Sequence, residues 1–458
     1  MKKLLPGFAL IFFAHTTHAQ EDTTEVFNKQ KGEPLEGMDC TWWNGGDRRP
    51  TPTLAGKYFT PTVMVDANYS YSFNDPIDNT VVGSTAIIRN NEMQVSAAHL
   101  GGDFNYKGAR GHIVTQFGTR SSVIPRNDYS VYKGQYQLDN VYRYLAEANA
   151  GYHFNVLHGI NIDAGMFMSY IGLNSYYQVE NWEYQASFTS DNTPWFFNGI
   201  RLQLFLTKKL KVEPWIINGW QSYGMFNHQP GVGGNITWCP NENVKMLTNN
   251  YYGADAAGIP SRKRFHTDNS LLVRYFNRPK SRGISRMAFS LTADFGFEKG
   301  GGVNGLKDGD SIHGPAQYFG SVMFYNRILF AKNKLAWTFG GGYMSNPGRY
   351  LVLVPVGQAS NLPNPNNPTT TSGAFPYSAN PGDKFEGFDC STNFDWMPNE
   401  HILFRLEYVH RQASVNYFAG HGGVTSPTGY STTGLPAGWM PDLVKSEERI
   451  IFAVLFRL

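Results

Sequence analysis

The chain has 458 residues, 39 Lys and Arg against 36 Asp and Glu, and a formal net charge of +3, so no basic surface large enough to argue for nucleic acid is available. Mean hydropathy is -0.37, and past the N-terminus no stretch approaches the roughly 20 apolar residues that a transmembrane helix needs. With 48 Gly, 26 Tyr, 32 Phe and 10 Trp the composition suits many glycine-punctuated strands with aromatic ends, and no linker separates independent units.

Lys2 and Lys3 precede an apolar run from Leu4 to Ala14, and Thr17-His18-Ala19 follows with small residues at cleavage positions. Residues 1–19 therefore read as a secretory signal peptide, and residues 20–58 as an N-terminal periplasmic extension before the strand-rich region 59–458. The extension carries Trp42-Trp43-Asn44-Gly45-Gly46 and Asp47-Arg48-Arg49-Pro50, compatible with a plug in a lumen, packing under a rim, or binding a periplasmic partner such as peptidoglycan.

From Pro61 to Asn74 apolar and aromatic residues hold one parity (Val63, Val65, Ala67, Tyr69, Tyr71, Phe73) and Asp66, Asn68, Ser70, Ser72 and Asn74 hold the other. That period of two defines a strand with one oily and one wet face. Tyr142 to Phe154 and Met287 to Glu298 repeat the pattern. Strands are expected near 61–74, 92–106, 109–120, 142–154, 160–172, 195–207, 210–222, 230–239, 244–254, 268–278, 286–298, 316–330, 335–345, 385–397, 401–418 and 447–458. Their connections alternate: Lys107-Gly108, Lys208-Lys209 and Pro398 to Glu400 are tight, whereas Ser121 to Val141, Leu173 to Pro194, Asn346 to Lys384 and Ala419 to Ser446 are long.

Short periplasmic turns alternating with long surface loops, an even strand number and a C-terminal strand with Ile450, Phe452, Val454, Phe456 and Leu458 on one face predict an all-β fold. The expected architecture is a transmembrane antiparallel β-barrel of about 16 strands in the outer membrane of a Gram-negative cell, bathed in its lipid. Since a Lys or Arg at mid-bilayer costs about 2–4 kcal/mol, charged residues within strands belong in the lumen. The pore-lining candidates are Arg110, Arg143, Glu147, Asp163, Arg201, Arg274, Asp294, Arg327, Asp389, Asp395, Arg405 and Glu407. Many such groups brace a barrel wall by pairing rather than steering solutes. Glu180, Glu183 and Asp191, among aromatics from Tyr176 to Trp195, are constriction candidates if the third outer loop folds inward.

Several motifs lose their meaning in this context. Gly300 to Gly305 satisfies GxGxxG but follows an antiparallel strand and precedes no helix. Asp308-Gly309-Asp310 reads as a solvated turn rather than a calcium loop. His153, His158 and His410 share no ligand spacing with Cys, Asp or Glu, so no metal and no cofactor is expected. Cys390 shares a parity with Phe388 and Phe394 and faces lipid; Cys40 and Cys239 fall on one side of the membrane, where a disulfide between them would tether the extension.

The run Val65-Asp66-Ala67-Asn68-Tyr69-Ser70-Tyr71-Ser72-Phe73-Asn74-Asp75-Pro76, with Asn91-Glu92-Met93, Gly165-Met166-Phe167, Tyr170-Ile171-Gly172, Thr193-Pro194, Phe197-Asn198-Gly199-Ile200-Arg201-Leu202 and Asn218-Gly219-Trp220, resembles the OmpL-like outer-membrane porins of the β-barrel porin type 2 family. The likeness is best over residues 60–225 and implies a barrel with a porin role, without shared catalytic residues. The function expected is a porin-like channel for passive passage of small hydrophilic solutes. The alternatives are a structural or interaction barrel binding periplasmic or surface partners, and a barrel enzyme. A homotrimer is an assembly common to sixteen-stranded porins that the sequence itself does not select.

Overall fold

The computed structural model describes residues 37–49, 54–130, 134–307, 316–348, 350, 363–364, 367–371, 384–430 and 438–458. The expected signal peptide and Asp308-Gly309-Asp310 lie outside the described residues.

Sixteen antiparallel strands form the wall: β1 (Phe59–Ser72), β2 (Glu92–Tyr106), β3 (Ala109–Phe117), β4 (Leu145–Phe154), β5 (Ile160–Met168), β6 (Phe196–Thr207), β7 (Leu210–Ile217) and β8 (Gly231–Asn241), then β9 (Val244–Gly253), β10 (Lys263–Asn277), β11 (Ile284–Gly300), β12 (Tyr318–Phe330), β13 (Leu335–Asn346), β14 (Phe385–Trp396), β15 (Ile402–Ala413) and β16 (Ser446–Arg457). Each pairs with its chain neighbour, and β16 returns to β1 with Ala67 opposite Val454 and Tyr71 opposite Ile450, which closes the barrel and leaves no sheet edge. The chain is thus a closed antiparallel β-barrel, with no helix among the described residues long and apolar enough to cross a membrane.

The alternation holds where solvent demands it. Along β11, Leu291, Ala293 and Phe295 are outward while Ser290, Thr292, Asp294 and Glu298 are buried inward; along β16, Ile450 and Phe452 point out, and Glu447, Arg449 and Arg457 point in. Aromatic rings gird the outer wall near the periplasmic ends, as in the edge-on Tyr58–Tyr106 pair and the stacked Trp396–Phe404 pair. There an amphipathic ring has one side in acyl chains and the other in headgroups. A bulge at Ser96 of β2, opposite Asp66 and Ala67, shifts the β1–β2 register, and another at Ala146 of β4, opposite Val114 and Thr115, shifts β3 against β4.

Some boundaries differ from expectation. Residues 142–144 do not belong to β4, because Asp139–Tyr142 makes a helical turn in which Arg143 pairs back to Asp139 at 2.5 Å. Arg143 is therefore a loop residue and not a pore-wall residue. The strand expected near 210–222 is shorter: β7 stops at Ile217, and the Trp220 indole beyond it is buried with Tyr251 and His266 at ring separations of 5.1 and 4.9 Å. The Gly300 to Gly305 run turns back on itself, with Val303 pairing to Gly300, and starts no helix.

Candidate functional site

The lumen is the site, and three pieces of chain occupy it. The first outer connection sends Val81, Val82, Ser84, Thr85, Ala86 and Ile87 inside, all buried. The third outer connection crosses the interior from Leu173 to Trp195, with a 3-10 turn at Gln178–Glu180 and a short helix at Phe188–Asn192. From the periplasmic side the extension inserts Trp42, Trp43 and Asn44.

Polar groups of the wall hold the inner loop by its backbone. Glu407 on β15 accepts the Tyr184 and Gln185 N–H groups at 2.6 and 3.0 Å. Asp389 on β14 accepts the Phe188 N–H and the Ser187 hydroxyl, both at 2.9 Å. Arg405 donates to the Asn181 carbonyl at 3.0 Å and Arg327 to the Trp182 carbonyl at 3.2 Å. Those two guanidiniums share Asp395, at 2.7 Å each, so two buried cations are offset by one buried carboxylate plus carbonyl dipoles. A backbone segment without its own ladder needs such partners, since an orphaned buried N–H or C=O costs about 1–3 kcal/mol.

The loop is pinned to the first connection as well. Asp191 accepts the Thr85 hydroxyl and amide at 2.8 and 3.1 Å and meets Arg411 at 3.4 Å. Wall glycines make the room: a Cβ on Gly342 would stand 2.6 Å from the Ser187 hydroxyl.

The extension interlocks with this loop. The Asn44 side-chain carbonyl accepts the Trp182 N–H at 2.9 Å, and the Trp182 indole N–H reaches the Trp43 carbonyl at 3.1 Å. Gly45 allows that approach, having a φ of +68° and a Leu173 carbonyl oxygen 1.8 Å from where a Cβ would be. Arg48 donates to the carbonyls of Val179, Glu180 and Asn181. Asp39 bridges Arg274 and Arg286 at 2.5 and 3.0 Å, Asp47 meets Arg457 at 2.8 Å, and the Lys245 ammonium sits 4.0 Å over the Trp43 ring. Burial works to raise the Asp39 carboxyl, but the bond from Thr41 and the charge of Arg286 prevail and hold it below its ordinary value.

The interior is not filled evenly. The inward side chains of β14 and β15 that clamp the inner loop are sealed, Arg405 being 0% exposed and Asp395 0%, whereas on β3 to β7 several inward charges keep contact with solvent, Arg110 24%, His112 22%, Arg201 19%, Lys211 21% and Glu147 15%, with Asp163 and Glu213 buried among them. Asp163 ties Arg201 at 3.1 Å and Arg110 at 3.5 Å, and Glu147 accepts the Tyr177 hydroxyl at 2.8 Å. The pore-lining candidates thus divide. Arg110, Glu147, Asp163 and Arg201 line or brace the wet side. Arg327, Asp389, Asp395, Arg405 and Glu407 clamp the inner loop, Arg274 clamps the extension, and Asp294 is buried beside His266 at 3.8 Å.

The constriction candidates all lie inside. Glu183 bonds Asn174, Glu180 meets Arg457 at 3.5 Å, and Asp191 is placed as above. Sequence reasoning missed the first connection and the positions of His112 and Lys211, although both fall on the inward parity of their strands. Cys40 and Cys239 are free thiols, with the Cys40 thiol directed at the Met38 carbonyl at 3.7 Å, so the link between them is not formed. Among the described residues no cluster of His, Cys, Asp or Glu suits a metal ion.

Residues 58–435 match the model of a family described as putative beta-barrel porin-2, OmpL-like. The fold is similar to solved structures of low identity. OmpT, an outer membrane protein of Vibrio cholerae, is 7% identical, with 87% of this chain and 97% of that one covered at a TM-score of 0.46. The outer membrane channel DcaP of Acinetobacter baumannii is 10% identical (87% and 97% covered, TM-score 0.48), and OprB of Pseudomonas putida is 10% identical (88% and 94% covered, TM-score 0.48). No curated protein matches the chain.

Proposed function

We propose, from the premise that this chain belongs to the OmpL-like β-barrel porin-2 family, that it is a gated channel for passive passage of small hydrophilic solutes. The observation that carries the reading is the asymmetric lumen. One wall, β3 to β7, presents Arg110, His112, Glu147, Arg201 and Lys211 partly to water, while the opposite wall holds the inner loop and the extension instead of being filled by its own side chains. Partly exposed groups of both signs on one track suit polar solutes, because each can exchange water for a solute hydroxyl or charge without a dry step.

Closure is the work of the inner loop and the extension, so conduction requires one of them to shift. The test is single-channel recording in planar bilayers on the mature protein and on a variant lacking residues 20–58. Conductance steps in the parent that grow in the truncated barrel are the expected result. Silence in both, with barrels that remain folded by their heat-dependent shift on gels, removes the channel reading. It would leave the second one, which the filled lumen favours: an interaction barrel whose loops or extension bind a partner.

A further inference from the structure

We propose that the periplasmic mouth contains a binding site for a phosphate-class oxyanion, assembled jointly by the extension and the barrel rim. The place is a cavity of about 510 Å³ walled by Arg48 of the extension, Arg286, Arg457 and the turn Lys332-Asn333-Lys334, with Asn399 and Glu400 opposite. A volume of that order accommodates a small ligand with its water.

Charge is the first argument. Five cations line the cavity, Arg48, Arg286, Lys332, Lys334 and Arg457, against two carboxylates, Asp39 and Glu400. Asp39 is committed to Arg274 and Arg286, and Glu400 lies 3.7 Å from His401. Arg457 is answered by Asp47 and Glu180. Arg48 is met by three neutral carbonyls, and Lys332 and Lys334 have no ion pair among the described residues. Arg48, Lys332 and Lys334, set against Glu400 alone, therefore leave an excess of positive charge on one space. Burial, together with the like charges of Arg327, Arg405 and Arg457, holds the Arg48 guanidinium well below its ordinary pKa, as expected of a cation awaiting a counter-charge.

Preset donors are the second argument: Arg286 and Arg457 both line this cavity. Their side chains are fixed: Arg286 by Thr41 at 2.7 Å and Asp39, Arg457 by Asp47, so they form preset donors and not floating charges.

The turn that presents the lysines is the third. Ala331, Lys332 and Asn333 all have positive φ, at 50°, 60° and 67°, a run that costs energy for residues with a Cβ. It is held by the Lys332 N–H bonding the Ser281 carbonyl at 2.9 Å and the Asn333 side chain accepting the Ser285 hydroxyl at 2.8 Å. The turn sets Lys332 and Lys334, two residues apart, on the lining of one cavity. Because Arg48 and the rim come from different parts of the chain, an oxyanion here fastens the extension to the barrel.

The test is calorimetric titration of inorganic phosphate, and separately citrate, into the mature folded barrel in zwitterionic detergent. Saturable binding is expected, weakened by about tenfold or more in Lys332→Gln/Lys334→Gln, the loss of charge-assisted donors. Arg48→Gln should weaken it likewise, whereas Lys307→Gln, on the opposite side of the membrane, should not. Repeating the titration in nanodiscs with phosphatidylglycerol separates sources: a lowered apparent phosphate affinity there identifies the lipid headgroup as occupant, and an unchanged one a free anion. Absence of binding to the parent, or equal binding by the lysine variant, overturns the proposal. Binding is read without current, so a silent barrel would not be mistaken for an empty site.

Discussion

Removing Glu407 tests how firmly the inner loop is shut. Its carboxylate accepts two backbone N–H groups of the loop, at 2.6 Å from Tyr184 and 3.0 Å from Gln185, and both residues are buried. In Glu407→Ala these donors have no acceptor while the loop stays in place, but they regain water once it moves out. A hydrogen bond to a charged group contributes about 1.5–3 kcal/mol, so the closed state loses at least about 3 kcal/mol relative to the open one. At about 1.4 kcal/mol per decade, the closed-to-open ratio falls by roughly two decades. Asp389→Ala removes the bonds to Phe188 and Ser187 and should act in the same direction. Single-channel recording measures this as longer and more frequent openings at the same voltage. Openings indistinguishable from the parent in both variants, with barrels folded, would mean that the loop does not gate.

Asp395→Ala leaves Arg327 and Arg405 buried without their shared carboxylate, and the melting of the gel-shifted folded form should drop as expected of about 3–5 kcal/mol; an unchanged midpoint refutes the network. Ile200, outward on β6, faces acyl chains, so Ile200→Arg should destabilise by about 2–4 kcal/mol in vesicles, while Gln203→Arg on the inward parity should be nearly neutral. Acid should release the extension. Burial tends to raise Asp47, yet the bond from Arg49 and the charge of Arg457 hold it, like Asp39, below its ordinary value. Carboxyls lowered by docking contribute their full stabilisation above the ordinary range, about pH 4, and lose it as pH falls through the docked values. Conductance should therefore rise below about pH 4, less so in Asp39→Asn, and a flat profile from pH 6 to 3 would exclude this coupling.

The wall was legible because lipid and lumen impose opposite demands on alternate residues: the parity of Asp66 to Ser72 on β1, or of Ser290 to Glu298 on β11, is visible in the letters alone. Strand ends were less so, since polar and aromatic residues continue past them. Even there Arg143 carried a readable signal, four residues after Asp139 and thus set for a helical pair. The filling of the lumen was the hard part. The inward fold of Tyr176 to Trp195 was foreshadowed by its aromatics and carboxylates, but Val81 to Ile87 follow no periodicity. Their place depends on Asp191 and Arg411, each more than a hundred residues away. Contacts at such separations leave no local pattern.

The way the lumen is filled bears on how it opens. At the extracellular end Phe188, Phe385, Tyr417 and Phe418 pack ring to ring, and separating them exposes apolar surface that water does not reward. In the middle, the loop is held by carboxylates and guanidiniums on its backbone, contacts of about 1.5–3 kcal/mol each that water can take over once the loop moves. The extension adds salt links at the mouth, where solvent already reaches Asp47. A plug with one greasy end and one ionic end yields first at the ionic end. The loop should therefore swing from its aromatic anchorage, freeing the midpoint beside Arg110, Glu147 and Arg201 while the outer rim stays packed, so that the wet wall of β3 to β7 widens without the barrel itself having to change.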